Sequence, residues 1–445
     1  MAMEIRLSDY GAASTTPSPV NAMMAAFAED FRDGMDINLG VGYVNEDTIP
    51  ETLIQEALDA VLADRHRYRQ AFNYGGARGS ANLIASIRRF RAAPGRPGAV
   101  APEVLARKQV IVGASGATSL LDAIAEILPR GIVVTADPMY YIYTDALFRR
   151  GFEVVAARED AEGVRPESVR AQVDALGSRA DDIAFFYFVT VNNPTCSILG
   201  GARRQALVDL VTELSERQGR RIPLFFDTAY ELLLHDPAAA PCPSALNHDR
   251  LDVVYELGSL SKVLAPALRC GYLVGPPGPF VEALVQKTSD VGFSAPLATQ
   301  EMASYLIDQH IGHQIDSVNA GYRQKAQAVR ACIDRELGPF LEDCSGGNAG
   351  FYFYLTFQDV ETHTESALFR FCARATGDPG HDGRADQPHP RVVYIPGEYC
   401  VHPHGNLVET GRRQLRVSYA FEETAAIERA IGILREGAGY ARSHS

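Results

Sequence analysis

The sequence predicts an α/β fold: a large domain with a mostly parallel seven-stranded sheet flanked by helices, plus a smaller α+β domain. Three observations lead there. From about residue 80, short β-branched runs alternate with helical stretches, the pattern of buried parallel strands with helices on both faces. Beyond about residue 340 that alternation stops, and strands and helices follow one another irregularly. At 445 residues the chain exceeds one small core and suits two domains, or one large domain with an appendage.

Residues 1–50 read as a polar N-terminal arm that also joins the small domain, with a helix at Pro19–Phe31 and an extended segment at Asp36–Gly42. An amphipathic helix opened by Pro50 and Glu51 runs to residue 63. The large domain is assigned to 51–315. Its strands are Gln109–Val112, Ile132–Thr135, Glu153–Ala156, Ile183–Val189, Pro223–Phe226, Val253–Leu257 and Gly271–Val274. Helices are expected at Ser119–Leu128, Tyr143–Arg149, Pro166–Leu176 and Arg203–Arg217. One long helix is expected across Val281–Asp308 and another across Gln309–Leu337. The small domain, 316–445, is expected to carry strands at Phe351–Phe357, Val392–Ile395 and Gln414–Tyr419 and a helix at Thr364–Thr376. Residues 377–390 are polar and rich in glycine and proline, a mobile loop.

Composition removes several function classes. The net charge is −13 and no lysine/arginine-rich run stands out, which argues against nucleic acid or an anionic membrane as the main partner. Met1–Arg6 lacks the pattern of a signal peptide, and no stretch of about 18 apolar residues is present to span a bilayer. Seven dispersed cysteines without CxxC spacing read as reduced thiols in the cytoplasm. His402 and His404 beside Cys400 have no matching cluster elsewhere, so no metal is expected.

The chemistry centres on Lys262, in Ser259-Leu260-Ser261-Lys262-Val263-Leu264-Ala265-Pro266-Ala267-Leu268-Arg269-Cys270-Gly271-Tyr272. A lone lysine among small and apolar residues loses its proton easily, because burial disfavours the ammonium. A neutral lysine amine is the nucleophile that forms Schiff bases. Ser259, Ser261 and Arg269 supply what a phosphate requires. Together they suggest a lysine that holds pyridoxal phosphate.

That cofactor needs an acid, phenolate donors, a phosphate cup and a carboxylate clamp. Asp227 closes an apolar strand, where open α/β sheets bind ligands; taken alone it also reads as a helix N-cap. Tyr230 and Asn193 are candidate donors, although Asn192-Asn193-Pro194-Thr195 is also an ordinary turn signal. Gly113–Thr118, with Ser115, Gly116 and Ala117, opens a helix and offers free N–H groups and a positive dipole end. Tyr140 follows another strand and is placed to stack on a ring, or simply to pack in the core. Arg416 shares its strand with Leu415 and Val417 but faces the other way, where it grips a carboxylate or meets solvent.

The order of these elements resembles fold-type I pyridoxal-phosphate enzymes, specifically the class I/II aminotransferase superfamily, from about Leu39 to Phe421. The Ser-x-Ser-Lys…Pro-Ala-Leu-Arg-x-Gly run and Val393–Cys400 are similar to the α-aminoadipate, kynurenine and MocR-type subgroup. The resemblance implies Lys262 as the Schiff-base lysine and Asp227 as partner of the pyridine nitrogen, with Asn193 and Tyr230 on the phenolate oxygen. It implies Ser115, Gly116, Ala117, Ser259 and Arg269 around the phosphate, Tyr140 on the ring, and Arg416, Gly42 and Asn193 at the substrate. Tyr74, in a segment similar to Tyr-Gly-x-x-x-Gly, would reach the phosphate of a neighbouring subunit, which implies a homodimer with shared active sites. Departures are Cys196 for the usual glycine after Asn-Pro-Thr, Ala267 for the glycine of Pro-Gly-Leu-Arg, and a helix after Gly79 without its usual arginine.

The implied reaction moves an amino group between an L-amino acid and a 2-oxo acid. The same residues also suit a lyase or γ-replacement enzyme resembling aminocyclopropane-carboxylate synthase, acting on S-adenosylmethionine or another γ-substituted amino acid. A MocR-type regulator would carry a winged helix ahead of this region, and only some forty non-basic residues precede Leu39.

Overall fold

The computed structural model describes residues 5–384 and 386–444. Met1–Glu4, part of the segment read for a signal peptide, Ala385 of the 377–390 loop and Ser445 lie outside the described residues.

The main sheet has eight strands: β1 (Gln109–Val112), β2 (Ile132–Asp137), β3 (Glu153–Asp160), β4 (Gly163–Val164), β5 (Ile183–Val189), β6 (Leu224–Asp227), β7 (Val254–Ser259) and β8 (Gly271–Gly275). Their order is β1-β8-β7-β6-β5-β2-β3-β4. All pairs between β7 and β3 are parallel, while β8 runs antiparallel to both neighbours. The seven expected strands are present. The expected count falls one short because the two-residue β4 folds back antiparallel onto the end of β3, too short to leave a periodic signal.

Strand periodicity divides the core in two. Phe186, Phe188, Leu224 and Phe226 join one buried cluster, and Phe185, Tyr187, Phe225 and Leu257 join the other. The sheet is therefore covered on both faces, and the carboxyl ends of its parallel strands open towards the small sheet.

That second sheet comprises β9 (Leu341–Gly346), β10 (Tyr352–Phe357), β11 (Ile395–Pro396) and β12 (Gln414–Ser418), all antiparallel in the order β9-β10-β12-β11. Across β10 and β12, Tyr354 pairs with Arg416 and Tyr352 with Ser418, so Tyr352, Tyr354 and Arg416 share one face. Leu355, Leu415 and Val417 occupy the other face, in the buried cluster with Val329, Ile333, Ile427 and Ile431 of helices Ile311–Glu336 and Thr424–Ser443.

Several elements differ from expectation. The helix expected over Val281–Asp308 is two, Pro279–Asp290 and Leu297–Gln309. Gly292 and Phe293 adopt positive φ (104° and 77°) and Pro296 caps the second helix, so the chain turns between them. The strand expected over Val392–Ile395 splits: Val392–Val393 pairs with Ile37–Asn38, and only β11 joins the small sheet. Within 377–390 the chain makes a helical turn, Pro379–Asp382, and a two-residue strand pair, with Asp382 accepting from Thr376 and Gly377. The helix expected over Thr364–Thr376 covers Ala367–Ala373.

Behind the loop after β6, Arg204 Nη1 donates to Glu231 Oε1 at 2.6 Å, with side chains only 2% and 4% exposed. Thr190 Oγ1 donates to the other carboxylate oxygen at 3.1 Å. This pair anchors the Asp227–Glu231 loop to the helix Gly201–Gln218. Removing one partner leaves a buried charge uncompensated. Arg204→Met is expected to lower the unfolding free energy by about 3–5 kcal/mol, measured by urea denaturation; a loss under about 1 kcal/mol would show that the pair does not hold the loop.

Candidate active site

Five of the residues singled out in the sequence converge because each ends or follows one of the main-sheet strands that run in the same direction. Ser115 follows β1, Tyr140 β2, Asn193 β5, Asp227 ends β6 and Lys262 follows β7. A cleft of about 270 Å³ lies at these carboxyl ends. Its walls include Gly42, Tyr140, Asn193, Asp227, Tyr230, Ser259, Lys262 and Arg269, together with Ala117 and Thr118.

Lys262 is partly buried, and its Nζ donates to the Gly42 carbonyl at 3.0 Å. The amine also sits 5.5 Å from the centre of the Tyr230 ring and 5.4 Å from that of Phe351. Burial, then the charges of Arg416 and Arg269, lower its pKa to about 8, with Asp227 opposing them. Asp227 is itself buried and its pKa is raised by that burial, against the Tyr187 hydroxyl, the Ala229 N–H and Lys262. Tyr187 Oη donates to Oδ2 at 2.8 Å and Ala229 N to Oδ1 at 3.0 Å, which fixes the carboxylate plane.

At one end of the cleft, Gly116 begins the helix Gly116–Ile127 with φ +65°. Its N–H donates to the Arg269 carbonyl at 2.6 Å, so that group is already engaged. Ala117 and Thr118 line the cleft, and first-turn N–H groups such as theirs have no helical acceptor. Arg269 holds the turn: Nε donates to Ser115 Oγ at 3.2 Å and Nη2 to the Ser115 carbonyl at 3.1 Å. A Cβ on Gly271 would stand 2.2 Å from the Ala117 nitrogen, so a glycine is required where β8 passes the helix start.

At the other end, Asn193 of the cleft wall is backed by Arg416, which is 1% exposed and does not itself line the cleft. Nη1 donates to Asn193 Oδ1 at 2.8 Å and Nη2 to the Gly40 carbonyl at 2.6 Å. The guanidinium lies 4.0 Å from the Tyr352 ring centre and 5.6 Å from that of Tyr141. Its Nε is buried without a hydrogen-bond partner, and no carboxylate pairs with Arg416 or Arg269 among the described residues. An unpaired buried cation is costly, so this end is suited to receive an anion.

Tyr74 stands apart. It is 83% exposed, packs at 6.0 Å from Phe293, and is absent from the walls of its own protomer's cleft. His402 is occupied by the Val154 carbonyl and the His404 N–H. Sequence reasoning missed Tyr187, Phe351 and Tyr352. A buried tyrosine hydroxyl needs a partner, which was the available signal for Tyr187 within its phenylalanine-rich strand. Tyr352 had no such signal, because its place opposite Arg416 depends on strand register.

Two departures have local explanations. Cys196 adopts φ +54°, the left-handed conformation that favours glycine. Ala267 lies in the short helix Pro266–Leu268, whose φ angles are not positive, so no glycine is needed there.

This arrangement fits pyridoxal phosphate: an amine, a carboxylate held in plane, free N–H groups with an arginine, and a second arginine for a carboxylate. The described residues contain no group of three or more potential metal ligands.

Comparisons with known proteins agree with this geometry. The family profile for aminotransferase class I and II matches residues 35–432. The 2-aminoadipate transaminase of Thermus thermophilus is 26% identical over 245 residues, 54% of this chain and 58% of that protein. An uncharacterized HTH-type transcriptional regulator, YdfD of Bacillus subtilis, is 25% identical over 305 residues, 68% of this chain and 58% of that one. The alignments thus span little more than half the length of these relatives. Among solved structures, the multiple substrate aminotransferase of Thermococcus profundus superposes with a TM-score of 0.81 at 18% identity, over 99% of this chain and 98% of that one. The α-aminoadipate aminotransferase of Thermus thermophilus gives 0.76 at 21% identity, again over 99% and 98%. Fold, strand-end site and family profile agree: the chain belongs to the class I and II aminotransferase family.

Proposed function

We propose that the protein is a pyridoxal-phosphate-dependent aminotransferase that moves an amino group between an L-amino acid and a 2-oxo acid. The observation that carries this reading is the Lys262 amine, held by the Gly42 carbonyl in a cleft it shares with Asp227, Tyr230 and Arg269. When bound, pyridoxal phosphate supplies an aldehyde carbon for amine exchange and a ring that accepts the electron pair left by the departing α-proton.

The residues divide the remaining work. Arg416, oriented by Asn193, grips the substrate α-carboxylate and so fixes which Cα bond is presented. Gly42 lets the N-terminal segment lie close over that carboxylate. Lys262, neutral above about pH 8, would take the proton from the substrate Cα and deliver it two atoms away, to the carbon on the other side of the substrate nitrogen. Asp227, held by Tyr187, would keep a proton on the pyridine nitrogen through ion pairing in a buried setting. Tyr230 and Asn193 would serve the phenolic oxygen, Tyr140 would stack on the ring, and Ser115, Gly116, Ala117, Ser259 and Arg269 would form the phosphate cup. Gly116 acts there through its backbone shape, since its N–H is engaged by Arg269.

A homodimer belongs to this reading. Phe72, Tyr74, Val291 and Phe293 are large apolar side chains left exposed on the protomer, which supports a second copy covering them. Tyr74 would then complete the neighbour's phosphate cup. All seven cysteines are free, which supports a reducing, cytoplasmic setting. No helix among the described residues is long and apolar enough to cross a membrane.

Amino donors assayed against 2-oxoglutarate should yield 2-oxo acids with the wild-type protein, and Lys262→Ala should lose turnover by at least about 10³-fold. Full activity in Lys262→Ala would sink the reading, and release of a γ-substituent without transamination would favour elimination instead.

The lowered lysine pKa means that the proton leaves about where physiological buffers end, not near 10.5. The rate at which the apoprotein captures pyridoxal phosphate should therefore rise with pH through about 8 and then level off. A rate still climbing steeply at pH 10 would contradict the buried-amine account.

Sedimentation should give a dimer of the 48.4 kDa chain, and Tyr74→Phe should weaken cofactor affinity about tenfold through loss of one hydrogen bond to a charged group. A monomer with undiminished affinity would overturn the shared site.

A further inference from the structure

We propose that Tyr352 is a positioning residue for Tyr230: its hydroxyl donates to Tyr230 Oη, which leaves the Tyr230 proton directed into the cleft, onto the cofactor's phenolic oxygen. The inference rests on the functional reading above and extends it to a residue outside the motifs.

The two hydroxyl oxygens are 3.0 Å apart and buried, and the rings meet edge to face with centroids 5.9 Å apart. In such a pair one phenol donates and the other accepts. Of the two, Tyr230 lines the cleft and Tyr352 does not. A Tyr230 that spends its single proton on the cofactor can meet the Tyr352 hydroxyl at 3.0 Å only as acceptor, and the Arg416 guanidinium 4.0 Å from the Tyr352 ring centre favours Tyr352 as donor. With Tyr352 as donor, Tyr230 has its own O–H left for the cleft, and a hydrogen bond received strengthens the one given. The reverse direction would turn Tyr230's only proton away from the cleft.

Backbone packing fixes the seat of the Tyr352 hydroxyl. A Cβ on Gly42 would stand 2.8 Å from Tyr352 Oη, so the N-terminal segment closes against the hydroxyl only because residue 42 is glycine. The same Gly42 carbonyl accepts from Lys262. Tyr352 thereby links the carboxylate clamp, the lysine's backbone partner and the phenol that serves the cofactor.

The test is the pH titration of the bound cofactor's absorbance in wild type, Tyr352→Phe, Tyr230→Phe and the double variant. A donor to the phenolic oxygen favours the unprotonated chromophore, so Tyr352→Phe should raise the spectral pKa by about 0.5–1 unit, the size of one modest hydrogen bond. Tyr230→Phe should raise it further. The double variant should match Tyr230→Phe, because a relay through Tyr230 has nothing left to act on. An unshifted pKa in Tyr352→Phe, or a shift that persists in the Tyr230→Phe background, overturns the inference. A wild-type protein that forms no absorbing complex with pyridoxal phosphate sinks the functional reading itself, and is distinguishable from both.

A cofactor-independent measurement checks the hydroxyl's seat. Gly42→Ala should lower the melting temperature of the apoprotein by several degrees, and by visibly less in the Tyr352→Phe background, where the clashing oxygen is gone. Equal losses in both backgrounds would place the hydroxyl elsewhere and overturn the inference.

Discussion

The guanidinium of Arg416 is the constraint around which the site is arranged. It is buried, held by a carbonyl and an amide oxygen, and has no carboxylate partner among the described residues. Carbonyl dipoles offset only part of the cost of removing such a charge from water. The chain places the Tyr352 and Tyr141 rings beside it and leaves its Nε without a hydrogen-bond partner. A protein carboxylate in that position would be more stable and would close the site to an incoming anion.

The same positive field acts on Lys262. Burial alone would favour a neutral amine, and Arg416 and Arg269 push further in that direction. Asp227 pulls the other way, so its placement matters. Tyr187 and the Ala229 N–H hold the carboxylate on the strand-end side, where it can face a ring nitrogen without forming an ion pair with the lysine. The lysine's hydrogen bond goes instead to a neutral carbonyl. One set of charges thus produces a reactive amine, a retained acid and an empty-handed clamp. Behind it, the Arg204–Glu231 pair keeps the loop carrying Asp227 and Tyr230 in register with the neighbouring strand.

Much of this was legible in the sequence because strands in a parallel sheet deliver their carboxyl ends to one edge. Asp227, Asn193, Tyr140 and Lys262 needed only strand assignments to be brought together. Arg416 required one more step, the alternation of faces between Leu415 and Val417. What escaped depends on pairing between distant segments. Tyr352 joins Arg416 because of the register of β10 against β12, and nothing local encodes a register between residues so far apart in sequence. Tyr187 reaches Asp227 across the β5–β6 pair for the same reason. The break between the two helices around Gly292 was written locally, in Gly292 and Pro296, but a continuous apolar pattern on either side masked it.

The departure at Cys196 shows how a divergent member keeps the geometry while changing the residue. The turn after Asn193 still needs a left-handed residue, and Cys196 adopts it at φ +54°. A side chain there must go somewhere, and it points at Gly350: a Cβ on Gly350 would stand 2.7 Å from Cys196 Sγ. Gly350 itself has φ +61° and precedes Phe351 and Tyr352. The glycine requirement at the turn has therefore been shared with a second position, in the turn that leads into β10. Volume gained by the cysteine on the Asn193 side is matched by volume absent on the Tyr352 side. The turn after Asn193 and the approach to β10 thus meet at one sulfur atom.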